Sequence, residues 1–366
     1  MDTIGSQGPM VGLTTGIVRG RLEDDVAVFR GMPFARSPVG ALRLAAPAPV
    51  PAWDGVRDAL AFGPPPPQSR VMGAPDARDG DDDWLTVNVW SPDLGSARLP
   101  VMVWIHGGGY VYGWSGDPLF DGATLTRDGV VMVTFNYRLS AEGFGHFDGA
   151  PANRGLLDQV ALLRWVQDNI AAFGGDPGRV TVFGESAGAG FIAALMTMPR
   201  ASGLFHRAIA QSVPGLCFAP PVATDIAAAV AGVVGVQPSA SELARLAPSR
   251  LNDTADEVAR TMATTSRWGE AAYLRSPFAP VVDGDVLPDL PWEALADGAA
   301  SGRVRRAWTA FAATGDPGWP AFAPPERLTW VIDAEPAVQP YPEEASRHLW
   351  ATRTVATVNL APTDAD

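Results

Sequence analysis

The period of the apolar positions changes along this chain, and each change marks an element. Residues 16–20 and 26–31 are short β-like runs separated by turns, followed by Pro- and Ala-rich irregular chain through Trp53-Asp54-Gly55. Residues 85–90 alternate apolar and polar, which predicts a half-buried strand. By contrast, 101–105 and 130–135 are continuous apolar runs, as strands buried on both faces would be. Within 156–173, Leu156, Val160, Leu163, Val166 and Ile170 recur every three or four residues and stop at Gly174-Gly175, which predicts a helix. A third buried strand is expected at 179–183, a helix at 191–198 and a further strand at 208–210. Residues 224–262 are Ala-rich and helical in character, which suits peripheral or cap helices. The proline run 64–67 and the acidic stretch 79–83 read as surface loop. Strands alternating with helices imply an α/β fold, with a mixed, mostly parallel sheet and helices on both faces. One domain over 1–366 is expected.

Composition narrows the function classes. Of 366 residues, 47% are hydrophobic and 18% charged, enough apolar surface for a sizeable core. A formal charge of −13 with no cationic run argues against nucleic acid as a partner. All 27 basic residues are Arg, which reads as base composition rather than function. Cys217 is the only cysteine, so no intrachain disulfide is possible. Neither a Sec-type leader nor an 18-residue apolar span is visible, so the expectation is a soluble cytoplasmic protein with no membrane partner.

Two motifs carry chemistry. In Gly184-Glu185-Ser186-Ala187-Gly188 a serine falls between a buried strand and a helix. A sharp turn there lifts the Ser186 hydroxyl above the sheet, and small residues on either side avoid clashes. The alternative is a glycine-rich strand-to-helix turn without chemistry. The second motif is His106-Gly107-Gly108-Gly109-Tyr110, directly after the strand ending at Ile105. Its backbone N–H groups can point at a developing oxyanion, worth a few kcal/mol per donor. His106 reads as a loop-organising residue rather than a base.

The chain resembles the type B carboxylesterases, the cholinesterase-like branch of the α/β-hydrolases. The resemblance rests on Phe29-Arg30-Gly31-Met32-Pro33-Phe34-Ala35, Leu85-Thr86-Val87-Asn88-Val89-Trp90, the glycine loop, Phe135-Asn136-Tyr137-Arg138-Leu139, Pro151 to Gln159, Ala172 to Pro177, the serine elbow and Ala279 to Gly284. Residues 308–320 resemble the family's C-terminal helix and the loop after it. The resemblance implies an α/β-hydrolase fold and carboxylic ester hydrolysis with no cofactor and no metal, acting on a small-molecule ester. It implies Ser186 as nucleophile, Gly108, Gly109 and Ala187 as oxyanion-hole donors, and Glu185 and Ser212 as polar residues behind the nucleophile. Trp84 stands where the family has a cysteine, and Val213 where it has a glycine.

The same resemblance exposes a gap. In α/β-hydrolases the triad runs Ser, then Asp or Glu, then His. Here Asp283-Gly284 is followed closely by residues 303–314. The family's intervening segment, with two sheet strands, the acid and the His, is not found. An internal deletion near Ala300 and a sheet lacking its last strands are therefore expected, and with them an uncovered sheet edge. His106 and His146 precede the elbow, and His206 reads as structural. His348, expected in a polar helix at 343–350, stands in the right order but beyond the family's position. Loss of a triad base typically costs about 10⁶ in kcat, or roughly 8 kcal/mol. Three readings stay open: an active esterase, a non-catalytic remnant or interaction protein of the same fold, and a shortened form of an active gene product. Substrate choice and oligomeric state are not legible.

Overall fold

The computed structural model describes residues 8–70, 80–95, 98–262, most of 264–297, and two short strands at 328–331 and 337–340. The chain divides into two compact units, Met1–Ala294 and Leu295–Asp366. Ten strands belong to the first: β1 (Met10–Leu13), β2 (Gly16–Arg19), β3 (Arg21–Glu23), β4 (Val26–Pro33), β5 (Val56–Asp58), β6 (Thr86–Ser91), β7 (Leu99–Ile105), β8 (Val131–Phe135), β9 (Gly175–Glu185) and β10 (Arg207–Gln211). Its described helices include α1 (Ala123–Arg127), α2 (Ser140–Phe144), α3 (Arg154–Asn169), α4 (Ala187–Thr197), α5 (Pro220–Val233), α6 (Ala240–Leu243) and α7 (Pro248–Met262). In the second unit, β11 (Leu328–Val331) and β12 (Ala337–Pro340) form an antiparallel pair. The expected helices at 308–320 and 343–350 lie outside the described residues.

The main sheet has seven strands in the order β10-β9-β7-β8-β6-β4-β3. β10, β9, β7 and β8 pair in parallel, and two antiparallel steps through β6 return β4 to the same direction. Five of the seven strands therefore share a direction, as the alternation of strands and helices predicts. α3 forms where expected: Leu156, Val160, Leu163 and Val166 are all buried, and a 3-10 turn over Ile170–Phe173 ends at Gly174. Each such side chain contributes roughly 1.5–3 kcal/mol on burial. α3 and α4 cover one face of the sheet, whose core holds Val101, Val103, Ile105, Val131, Val133, Val180 and Val182. The other face is a smaller cluster of Val26, Val28, Trp90 and Met132, with Ala123 of α1 against it.

Two burial expectations are reversed. β6 is buried along its whole length rather than half-buried. It lies inside the sheet between β8 and β4, and its polar positions serve the interior. The Asn88 amide donates to the hydroxyls of Ser115 and Thr134, and its carbonyl accepts the Gly31 N–H. β7, read as buried on both faces, alternates: Val101, Val103 and Ile105 are buried, while Met102 and Trp104 are half-buried. The smaller cluster does not close over them. The 224–262 segment forms α5 to α7 as expected.

β10 ends the sheet. All five of its residues are exposed, and among the described residues no strand pairs with its outer edge.

Candidate active site

Ser186 sits in the turn between the end of β9 and the first residue of α4. Its φ of 54° and ψ of −123° lie where residues with a Cβ rarely go. Such a conformation costs of order 1–3 kcal/mol and persists only where the surroundings impose it. Here the impositions are visible. The Ser186 N–H donates to Gln211 O at 2.9 Å, tying the turn to β10, and Ser186 O accepts from Gly190 N to begin α4. Gly188 lies so near β7 that a Cβ on it would sit 2.0 Å from Ile105 O. Ser186 itself is half-buried.

The glycine loop lies directly beside this turn. A Cβ on Gly107 would be 2.8 Å from Glu185 O and 3.3 Å from Ser186 Cβ. Gly108 and Gly109 take φ of +115° and +60°, which only glycine adopts without strain. Gly108 O accepts from the N–H groups of Val111 and Tyr112 and so closes the turn. The N–H groups of Gly108 and Gly109 donate to no other group among the described residues. Ala187, as the first residue of α4, has an N–H outside the helical ladder, at the positive end of the helix dipole.

His106 organises the loop from beneath. It is 1% exposed, and its Nδ1–H faces Gly107 O at 2.8 Å. The Tyr137 hydroxyl donates to His106 O at 2.6 Å, and the two rings stack with centroids 4.4 Å apart. Burial holds the imidazole pKa down at about 4, so the ring is neutral at physiological pH. Gln68, on the irregular loop after the proline run, accepts the Gly113 N–H at 2.8 Å and pins the far end of the turn. Neither the Tyr137 nor the Gln68 contact has a local sequence signal, because each spans more than 30 residues.

The structure thus brings Ser186, Gly107, Gly108, Gly109 and Ala187 together. Glu185 is exposed, with its carboxylate reaching toward Gly107, and Ser212 is exposed just after β10 with φ of 53°. The described histidines are placed elsewhere: His106 under the loop, His146 half-buried with Asp283 and Arg154 acting on it, and His206 exposed before β10. None hydrogen-bonds Ser186 among the described residues. His348 lies outside them. Behind the loop, Arg138 and Asp158 form a fully buried ion pair at 2.7 Å, and Asp158 also accepts the Arg138 backbone N–H.

A strained serine between a parallel strand and a helix, flanked by a glycine loop at the end of the neighbouring strand, defines an α/β-hydrolase. The carboxylesterase family model matches residues 7–302, and the chain belongs to that family. Among curated relatives it is 41% identical over 297 residues to a para-nitrobenzyl esterase of Bacillus subtilis (strain 168), covering 78% of this chain and 59% of that protein. It is 48% identical over 213 residues to a phenmedipham hydrolase of Pseudarthrobacter oxydans, covering 56% of this chain and 43% of that protein. A fumonisin B1 esterase of Sphingopyxis macrogoltabida is 42% identical over 302 residues, 78% of this chain and 52% of the relative. The chain therefore spans about half the length of the curated relatives it matches. A solved PNB esterase structure superposes with a TM-score of 0.72 at 29% identity, covering 93% of this chain and 99% of that one.

Proposed function

We propose that the chain is a carboxylic ester hydrolase acting through a serine nucleophile and an acyl-enzyme intermediate. The observation that carries this reading is the forced backbone of Ser186 beside a glycine loop whose amides have no other described acceptor. Ser186 Oγ attacks the ester carbonyl, and Gly108, Gly109 and Ala187 N–H groups receive the negative charge on its oxygen. The carbon–oxygen bond to the alcohol then breaks, the alcohol leaves with the proton, and water releases the acid. Glu185 and Ser212 are assigned as polar residues behind the nucleophile. The substrate is a small-molecule ester, no cofactor enters, and a cytoplasmic location agrees with the single thiol of Cys217. Among the described residues no helix is long and apolar enough to cross a membrane.

A second reading, a catalytically impaired or non-catalytic member of the family, is favoured by one observation. No described imidazole reaches Ser186. Hydrolysis of a short-chain nitrophenyl ester, set against Ser186→Ala, separates the two. An active esterase loses turnover in the variant, and equal background rates in both proteins sink the enzyme reading. Without a base, the oxyanion hole alone leaves about 10³ over water. Fluorophosphonate labelling reports separately whether Ser186 is activated.

A further inference from the structure

A pocket of about 610 Å³ opens far from the elbow, at the C-terminal end of β4 and the start of β6, against β2 and β5. None of its lining residues belongs to the elbow or the glycine loop. β4 stands four strand spacings from β9, on the order of 19 Å across the sheet. The volume suits a small organic ligand. Met32, Val39, Leu42 and Phe62 supply apolar wall, mixed with polar and charged side chains.

The polar groups of the pocket are unevenly satisfied. Of its two carboxylates, Asp58 is paired with Arg19 at 2.7 Å and Asp83 accepts the Ser37 hydroxyl. Its two guanidiniums, Arg36 and Arg57, have no acidic partner among the described residues; Arg57 only stacks on the Trp53 ring at 4.3 Å. Thr86 also lines the pocket; it is 3% exposed, and its Oγ1 has no hydrogen-bond partner among the described residues. That hydroxyl lies against Gly63, another wall of the pocket, where a Cβ would come within 2.4 Å of it. The Oγ1 atom is thus closed off from the pocket by the Gly63 backbone.

We propose that this pocket is a second, non-catalytic binding site for an amphipathic carboxylate. The anionic head pairs with Arg36 and Arg57 at the rim, and the apolar body fills the pocket. Satisfied carboxylates and unsatisfied guanidiniums at the same rim select an anion over a cation. The inference does not depend on ester hydrolysis at Ser186.

Isothermal titration of 8-hydroxyoctanoate into the full chain tests it. One-to-one binding is expected, weakened about tenfold or more by Arg36→Gln/Arg57→Gln and by replacing the probe with 8-amino-1-octanol. Both arginines are exposed, so an unchanged melting temperature confirms that the double variant is folded; Arg36→Gln alone serves if it is not. Absence of saturable binding, equal affinity in the arginine variants, or equal affinity for the amino alcohol overturns the proposal.

Discussion

At the residue scale, the site is made by positions where a single Cβ does not fit. Gly107→Ala places a methyl 2.8 Å from Glu185 O, so the loop must move away from Ser186. A displacement of that order costs about a hundredfold in reaction rate. Fluorophosphonate labelling of Ser186 in this variant is expected to slow by that factor, and an unchanged rate would show that the loop does not serve the serine. His106 gives a pH signature. Its folded pKa of about 4 lies below its unfolded value, so the unfolded chain binds an extra proton between those pH values. Its contribution is full above about pH 6.5 and is lost as pH falls toward 4, amounting to up to roughly 3 kcal/mol. Urea melts of wild type and His106→Gln from pH 7 to 4 are expected to converge as pH falls, and parallel curves would refute the neutral buried ring.

At the scale of elements, the chain after β8, at the C-terminal end of a parallel strand, is held by an ion pair taken wholly out of water. The Arg138–Asp158 pair joins the chain after β8 to α3, and Arg138 also donates to Ala45 O at 2.6 Å. Asp158→Asn leaves a buried guanidinium without its counter-charge, which costs about 3–5 kcal/mol. Chemical denaturation should report a loss of that size, and a loss below about 1 kcal/mol would mean that water reaches the pair. Burial also lowers Arg154 to about 9, although its guanidinium donates to four backbone carbonyls. Gly188→Ala acts on the junction of α4 with β7, because the added methyl would meet Ile105 O at 2.0 Å. Backbone must yield there, and the melting temperature is expected to fall.

For the molecule as a whole, the feature with the largest consequence is the edge at β10. Five exposed residues, including Ile209 at 42% exposure, present backbone groups with no described partner strand. An open edge of this kind is a template for pairing with another chain. Ile209→Lys is expected to lower concentration-dependent light scattering while leaving the melting temperature within a few degrees, since surface changes of this type shift stability by about 0.5 kcal/mol or less. Equal scattering from both proteins would show that the edge is protected.

The linear pattern was enough to place α3, β8 and β10 and to read Ser186 between a strand and a helix, because period and glycine punctuation are local properties of a chain. The family motifs likewise put the glycine loop two strands before the elbow in chain order. Neighbourhood was beyond it. The alternation of residues 85–90 describes a half-buried strand equally well in isolation, and only the position of β6 between two other strands turns Asn88 inward. The Gln68 and Tyr137 contacts that hold the glycine loop join residues more than 30 apart, and periodicity carries no term for such pairs. Local order is written along the chain; which side chains meet, and which edge of the sheet stays open, is settled when the strands take their places in the sheet.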